Sequence, residues 1–303
     1  MKSAGDITDQ LHASVAPFIG PHMDPTGFDT PFERLKVWSS YRNTEPVPSM
    51  FQPMFYAVLR GTKALRIAGN LFELKQGDCA AASFGMPYVS HLAGITAATP
   101  FVAISLVLDT ALLINVMLDM PKREERWTCP AAATRLDGEL GNAFCRLVEL
   151  ASAPQPDLMQ LGPLREAELY YRLLRSPMGD TLRQIGHRKS RLRQIRKAAD
   201  WLSSHFDKPF VVEDLASRVG MSLTSFHRHF KSATGFSPVA FQRHVRLLEA
   251  RKKLVAGTAS VSGAAFEVGY MSASQFSREY KRMFGSSPQT ELGLNRTPSQ
   301  HAG

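Results

Sequence analysis

The last third of the chain carries an internal repeat that few folds can accommodate. The segment LASRVGMSLTSFHRHFKSATGFSP at 215–238 aligns with AAFEVGYMSASQFSREYKRMFGSSP at 264–288. The offset is 49 residues up to Gly220 and Gly269, and 50 from Phe226 and Phe276 onward. Each copy reads as a short helix, a tight turn and a second helix. In the first, Leu215, Ala216 and Val219 face inward, Gly220 tolerates the left-handed backbone of the turn, and Ser222 caps the next helix. Phe226 and Phe230, four apart, point that helix into a core. The second copy does the same with Val261, Ala264, Val268, Gly269, Ser272, Phe276 and Tyr280. Such a unit can lay its second helix in a DNA major groove.

The distribution of charge points to the same partner. The chain of 303 residues has a formal net charge of +9. Residues 1–179 hold 16 Lys and Arg against 18 Asp and Glu, whereas residues 180–303 hold 20 against 9. The whole excess therefore sits in the part that carries the repeat, as expected for a domain that meets nucleic acid.

Residues 101–118, FVAISLVLDTALLINVML, are apolar enough to raise the question of a membrane span. Asp109 would then lie near mid-bilayer, where a charge is costly. The segment is better read as a buried strand, FVAISLVL, followed by a helix that Asp109 caps. A soluble cytoplasmic protein follows. The three cysteines, Cys79, Cys129 and Cys145, are too few and too scattered for a disulfide framework.

Upstream, short apolar runs separated by turn residues predict strands from Phe32 to Leu108: FERLKVWSS, FYAVLRGTKALRI, NLFELKQGD and PFVAISLVL. The clearest hairpin is ALRIAGNLFEL, with its turn placed at Gly69-Asn70. From Asp109 the apolar spacing becomes helical through LDGELGNAFCRLVELA and LGPLREAELYYRLLRS. The expected organisation is an α+β chain. Residues 1–25 form a poorly ordered N-terminus, and the strands within 26–180 imply a small barrel or sandwich, followed by helices. Residues 181–205 form a basic helical linker with a domain boundary near residue 190, 206–292 an all-α domain with two helix-turn-helix motifs, and 293–303 a flexible tail.

Residues 211–290 resemble the DNA-binding domain of the AraC/XylS family. The resemblance rests on the G-M-S turn, F-K-x-x-x-G-x-S-P, R-L-x-x-A-R-x-x-L at 246–254, and V-G-Y…S-Q-F-S-R-E-Y-K-R-x-F-G…P. Residues 31–180 resemble the cupin-like domain of one AraC subgroup through P-x-P-x-x-F-Q-P, G-x-K, the G-D of a hairpin and L-R-E-x-E-L-x-Y-R-L-L. The resemblance implies a long helix, PVAFQRHVRLLEARKKLVAG, that joins the two units. They would then enter successive major grooves about 34 Å apart. Carried over by position, base contact falls on Thr224, Ser225, His227 and Arg228 in the first unit, and on Ala273, Ser274, Ser277 and Arg278 in the second. Phosphate contact falls on Lys231, Arg243, Lys281 and Arg282. Arginine is the strongest reader, since its fork matches guanine O6 and N7.

Metal-binding cupins need clustered His and acidic residues on adjacent strands, and the barrel region has only His91. No phosphate loop, nucleophile elbow or zinc-protease motif occurs, so neither enzymatic activity nor a cofactor is expected. The implied role of the barrel is sensing. Trp38, Met54, Phe55 and Tyr56 are candidate pocket liners, as are Cys79, Phe84 and Met86. The partners expected are double-stranded DNA, a small-molecule effector, a second copy in a homodimer, and RNA polymerase. The alternative is a DNA-binding regulator whose N-terminal domain only dimerises or docks a partner, without a ligand.

Overall fold

The computed structural model describes residues 4–19, 26–96, 98–121, 128–136, 138–186 and 191–294. The expected boundary near residue 190 and the tail from 295 lie outside these.

Ten strands make two antiparallel sheets. They are Thr26–Asp29 (β1), Leu35–Ser40 (β2), Val47–Met50 (β3), Met54–Arg60 (β4) and Thr62–Ile67 (β5), then Asn70–Lys75 (β6), Asp78–Ala82 (β7), Pro87–Leu92 (β8), Phe101–Val107 (β9) and Ala131–Arg135 (β10). One sheet runs β1-β2-β9-β4-β7-β10 and the other β3-β8-β5-β6. This is the cupin-like unit that the resemblance implied. The apolar run at 101–118 divides as expected. β9 is followed by helix α2, and the Asp109 carboxylate accepts from Ala111 N at 2.9 Å and Leu112 N at 3.0 Å. Among the described residues no helix is long and apolar enough to cross a membrane.

Side chains alternate across the larger sheet, as a pleated strand requires. Val37, Phe55, Ala57, Cys79, Ile104 and Leu106 face a helical layer. Trp38, Tyr56, Val58, Ala80 and Ala103 face the smaller sheet. The helical layer comprises Ala4–Val15 (α1), Thr110–Leu118 (α2), Gly138–Glu149 (α3), Gln155–Arg175 (α4) and Gly179–Arg183 (α5). Phe55 meets Phe144 of α3 edge-on, with ring centres 4.9 Å apart. The buried Glu166 of α4 accepts from the Arg34 guanidinium and, at 2.9 Å, from the Tyr170 hydroxyl. That hydroxyl in turn accepts from Asp109 N at 2.8 Å, which fastens the start of α2 to α4.

Two expectations are corrected. The N-terminus is not poorly ordered over 4–19: α1 buries Ile7, Leu11 and Val15 completely in the helical layer. It lies so close to α3 that a Cβ at Gly141 would run into Ile7. The three apolar residues recur every four positions, a helical period hidden among scattered Pro, Gly and His. The hairpin turn sits one residue earlier than expected. Ile67 pairs with Asn70, and Ala68 and Gly69 take the positive φ values of 49° and 83°.

The C-terminal unit is all helix: Arg191–Ser204 (α6), Val212–Arg218 (α7), Leu223–Thr234 (α8), Pro238–Val255 (α9), Val261–Glu267 (α10), Ala273–Phe284 (α11) and Pro288–Leu294 (α12). The apolar residues of the basic helical segment expected over 181–205 are divided between two cores. Leu182 and Ile185 belong to the N-terminal helical layer, whereas Leu192, Ile195, Ala199 and Leu202 pack with the first helix-turn-helix unit.

Because α1 fills space in the helical layer, Leu11→Ala is expected to destabilise the protein by about 2–5 kcal/mol. Chemical denaturation followed by far-UV circular dichroism measures this; an unchanged midpoint would show that α1 is dispensable.

Candidate nucleic-acid interface and inter-sheet cavity

Both repeats fold as helix-turn-helix units. In the first, Val219 caps the end of α7, Gly220 takes φ 72°, and the Ser222 hydroxyl accepts from Ser225 N to open α8. Gly235 closes α8 at φ 80°, and Pro238 starts α9 behind the Ser237 cap. In the second, Gly269 takes φ 88°, the Ser272 hydroxyl caps α11, and Gly285 closes it. Phe226, Phe230, Phe276 and Tyr280 are fully buried. Each recognition helix is thereby held by its aromatic side and presents the opposite face.

Helix α9 fixes one unit against the other. Phe241 and Val245 bury into the core of the first, and Leu247, Ala250 and Leu254 into that of the second. Between these two sets stands Arg246. Its guanidinium donates to the carbonyls of Phe206 at 2.6 Å, Gly269 at 2.8 Å and Lys208 at 3.2 Å. It thus ties the loop after α6 to the turn of the second unit. The approach is tight enough that a Cβ at Gly269 would collide with the Asp207 carbonyl.

On α8, Thr224, His227, Arg228 and Lys231 are exposed and Ser225 is partly so. On α11, Ser274, Arg278, Lys281 and Arg282 are exposed, with Ala273 and Ser277 half-buried. The Arg228 guanidinium lies 3.5 Å from Nε2 of its neighbour His229. Arg243 differs from the expectation of a simple phosphate contact. It faces Glu279 of α11 at 3.8 Å, and that carboxylate also accepts from the Tyr270 hydroxyl at 2.7 Å. Its first partner is therefore within the domain.

The two sheets enclose an apolar cavity of about 50 Å³, bordered by Trp38, Met54, Tyr56, Phe72 and Tyr88 among others. A recess of about 250 Å³ adjoins it and shares Trp38, Tyr56, Lys63 and Tyr88. The indole of Trp38 is fixed by donating to Ser105 Oγ at 2.8 Å. Of the expected liners, Trp38, Met54 and Tyr56 border the cavity. Phe55 and Cys79 do not, because strand alternation turns them to the helical layer. Phe84 and Met86 are buried in the inter-sheet core without bordering the cavity. Among the described residues no group of three or more His, Cys, Asp or Glu could hold a metal ion.

The smaller sheet separates this cavity from the helix-turn-helix domain. Its edge strand β3 and the neighbouring β8 contact α9, and β3 also contacts α11. At the tip of the β5–β6 hairpin, the Ala68–Gly69 backbone lies against Gly235, the residue that ends the first recognition helix.

Comparison with known proteins agrees with this architecture. Residues 31–181 match the model of the AraC-type transcriptional regulator N-terminus, and residues 215–292 match a helix-turn-helix domain. The chain belongs to the AraC family of transcriptional regulators. It is 29% identical over 155 residues to the HTH-type transcriptional activator RhaS of Yersinia pestis (strain Pestoides F), a match over 51% of this chain. The chain spans only 56% of the length of that relative. Among solved structures it resembles ToxT of Vibrio cholerae strain SCE256, crystallised with an unsaturated fatty acid. The TM-score is 0.58 at 10% identity, over 85% of this chain and 94% of ToxT. ToxT from strain O395 gives a TM-score of 0.55 at 9% identity, over 88% and 99%. At such identities the likeness concerns the AraC-type fold alone.

Within that fold, sequence reasoning missed three features. Arg246 opened the R-L-x-x-A-R-x-x-L motif, yet its four carbonyl partners come from segments remote in sequence. Lys63 stood in the G-x-K motif without an assigned role. Nothing local marked the contact of Gly235 with the hairpin tip. Gly269→Ala, which combines a positive φ with a backbone collision, is expected to cost at least about 2 kcal/mol. Gly257→Ala is the control: φ is 66° but nothing lies within 4 Å of the added Cβ, so only the backbone strain of about 1–2 kcal/mol applies. Thermal denaturation of the two variants checks the order; equal shifts would remove the close approach as a constraint.

Proposed function

We propose that this AraC-family chain is a sequence-specific DNA-binding transcription regulator whose N-terminal barrel senses a small molecule. The observation that carries the DNA reading is the rigid pairing of two recognition helices through α9, with their polar faces outward on a basic domain. Thr224, Ser225, His227 and Arg228 are the base readers of the first unit, and Ala273, Ser274, Ser277 and Arg278 those of the second. The small side chains at 273, 274 and 277 leave Arg278 as the main reader of the second unit. More base discrimination is therefore assigned to the first. Lys231, Lys281 and Arg282 grip phosphates, and Arg243 adds to that grip while held beside Glu279.

Sensing is supported by the cavity and its adjoining recess, which a purely structural barrel would fill. The fatty acid named for the ToxT structure is that protein's own, and it agrees with a ligand-binding role for this fold. The smaller sheet is the route of coupling, being both a wall of the cavity and the surface against which α9 and the Gly235 turn pack. A ligand that shifts this sheet would bias how the recognition helices are presented. Homodimerisation agrees with the exposed Met159 and Leu164 on α4 and Leu118 on α2. RNA polymerase would be met by the DNA-bound protein. The role requires no catalytic chemistry and places the protein in the cytoplasm.

Gel shift against the chain's own upstream region tests this. Arg228→Ala is expected to lose about 1–3 kcal/mol of binding to the specific site and to relax preference at one base pair. Lys281→Ala is expected to weaken binding to all sequences alike and to reduce the salt slope by about one. Binding without sequence preference, or untouched by Arg228→Ala, would overturn the reading.

A further inference from the structure

Lys63 is the one charged side chain on the walls of the apolar cavity and its recess among the described residues. It lies on the inward face of β5 with Leu65 and Ile67, and among the described residues no acidic side chain borders either compartment. Its ammonium donates to the Tyr56 hydroxyl at 3.3 Å, 4.7 Å from the centre of that ring and 5.9 Å from that of Tyr88. A half-buried cation with no anion beside it among the described residues is costly to maintain, and aromatic faces with one neutral hydroxyl offset only part of that cost. The recess around it is polar on the same inward faces. Ser49 on β3 and Ser90 on β8 line it, and Ser90 stands diagonal to Lys63 across the β5–β8 pair. The apolar compartment beyond offers Leu65, Ile67, Phe72 and Leu74. One positive charge, a few hydroxyls and an apolar chamber describe a site for a monoanion with a hydrocarbon body.

We infer that Lys63 is the head-group anchor for a small amphipathic carboxylate, held with its apolar part between the two sheets. This rests on the reading of the barrel as an effector-binding domain and names the class of effector. The carboxylate would accept from the Lys63 ammonium and from the nearby serine hydroxyls, a charge-assisted arrangement that is strong where water is excluded. Lys63 belongs to the same hairpin whose tip rests on Gly235, so an anion drawn to it acts directly on an element that touches the first recognition helix.

Burial lowers the Lys63 pKa to about 8. The titratable groups that face it are Tyr56 from β4 and Tyr88 from β8, both raised by burial and so still protonated there. Only the protonated amine attracts an anion, so carboxylate affinity must fall as pH rises beyond about 8.

The test uses the full chain, with quenching of Trp38 as the readout. Butyrate, hexanoate, octanoate and phenylacetate are titrated, each beside its primary amide. At least one acid is expected to bind about tenfold or more tighter than its amide, and to lose that advantage in Lys63→Met and above pH 8. Lys63→Met replaces a partly desolvated charge by an apolar side chain of similar length, so it is expected to fold at least as stably as the parent protein. Ser90→Ala, which leaves the charge in place, is expected to weaken the acid by a smaller factor. Acid and amide binding alike, or acid binding unchanged in Lys63→Met, would overturn the carboxylate assignment and leave effector binding standing. Silence of both series would remove the cavity as a ligand site. Gel shift on the same samples reports the DNA reading independently of either result.

Discussion

Everything the C-terminal domain can do depends on helix α9 being buried on two sides at once. Its first half sinks Phe241 and Val245 into one helix-turn-helix core, and its second half sinks Leu247, Ala250 and Leu254 into the other. Burial of this kind fixes a helix in rotation as well as position, because turning it would expose one set or the other. Gln242 and Arg246 lie between the two sets and lock the intervening loop. Gln242 donates to the Lys208 carbonyl at 2.7 Å, and Arg246 spans from Phe206 to Gly269. Removing a donor from such a set leaves carbonyls unsatisfied near a core, which costs more than the bonds themselves are worth. The geometry between the two recognition helices is therefore a property of packing, and no flexible linker enters it.

The N-terminal domain is organised by a different constraint, the two-residue period of its strands. One face of the larger sheet is committed to the helical layer through Phe55, Cys79 and Ile104, and the other to the smaller sheet through Trp38 and Tyr56. The smaller sheet then has two duties. Its inner face carries Lys63, Tyr88 and Ser90 into the cavity, and β3 and β8 meet α9 on the way to the DNA-binding units. A wall only one strand layer thick stands between the cavity and the helices of the DNA-binding domain.

The fold was legible wherever a single period persisted. The apolar spacing of α8 and α11, the Asp109 cap and the buried strand β9 all followed from local rules. The hairpin was found but shifted by one residue, because Ala68 accepts a left-handed conformation usually left to Gly or Asn. The first helix was missed because its three buried residues are spaced four apart within a polar, Pro- and Gly-marked stretch. In the pocket, Met54, Phe55 and Tyr56 were taken together although consecutive strand residues cannot face the same way. The pleat turns Phe55 to the helical layer and leaves Met54 and Tyr56 at the cavity.

The sequence by itself determined the double helix-turn-helix, the residues on its outer faces, the basic charge of that domain and the strand-rich character of the other. These are consequences of short-range periodicity, capping and composition, which act within a few turns of chain. Only the tertiary structure decided that Arg246 bridges 206–208 and 269, that Lys63 stands between two sheets beside Tyr56 and Tyr88, and that Gly235 rests on the tip of a hairpin some 170 residues earlier. Each of these depends on which distant segments come together, and neither residue type nor spacing encodes that locally. The recognition helices were legible in the repeat; what holds them, and what could move them, was not.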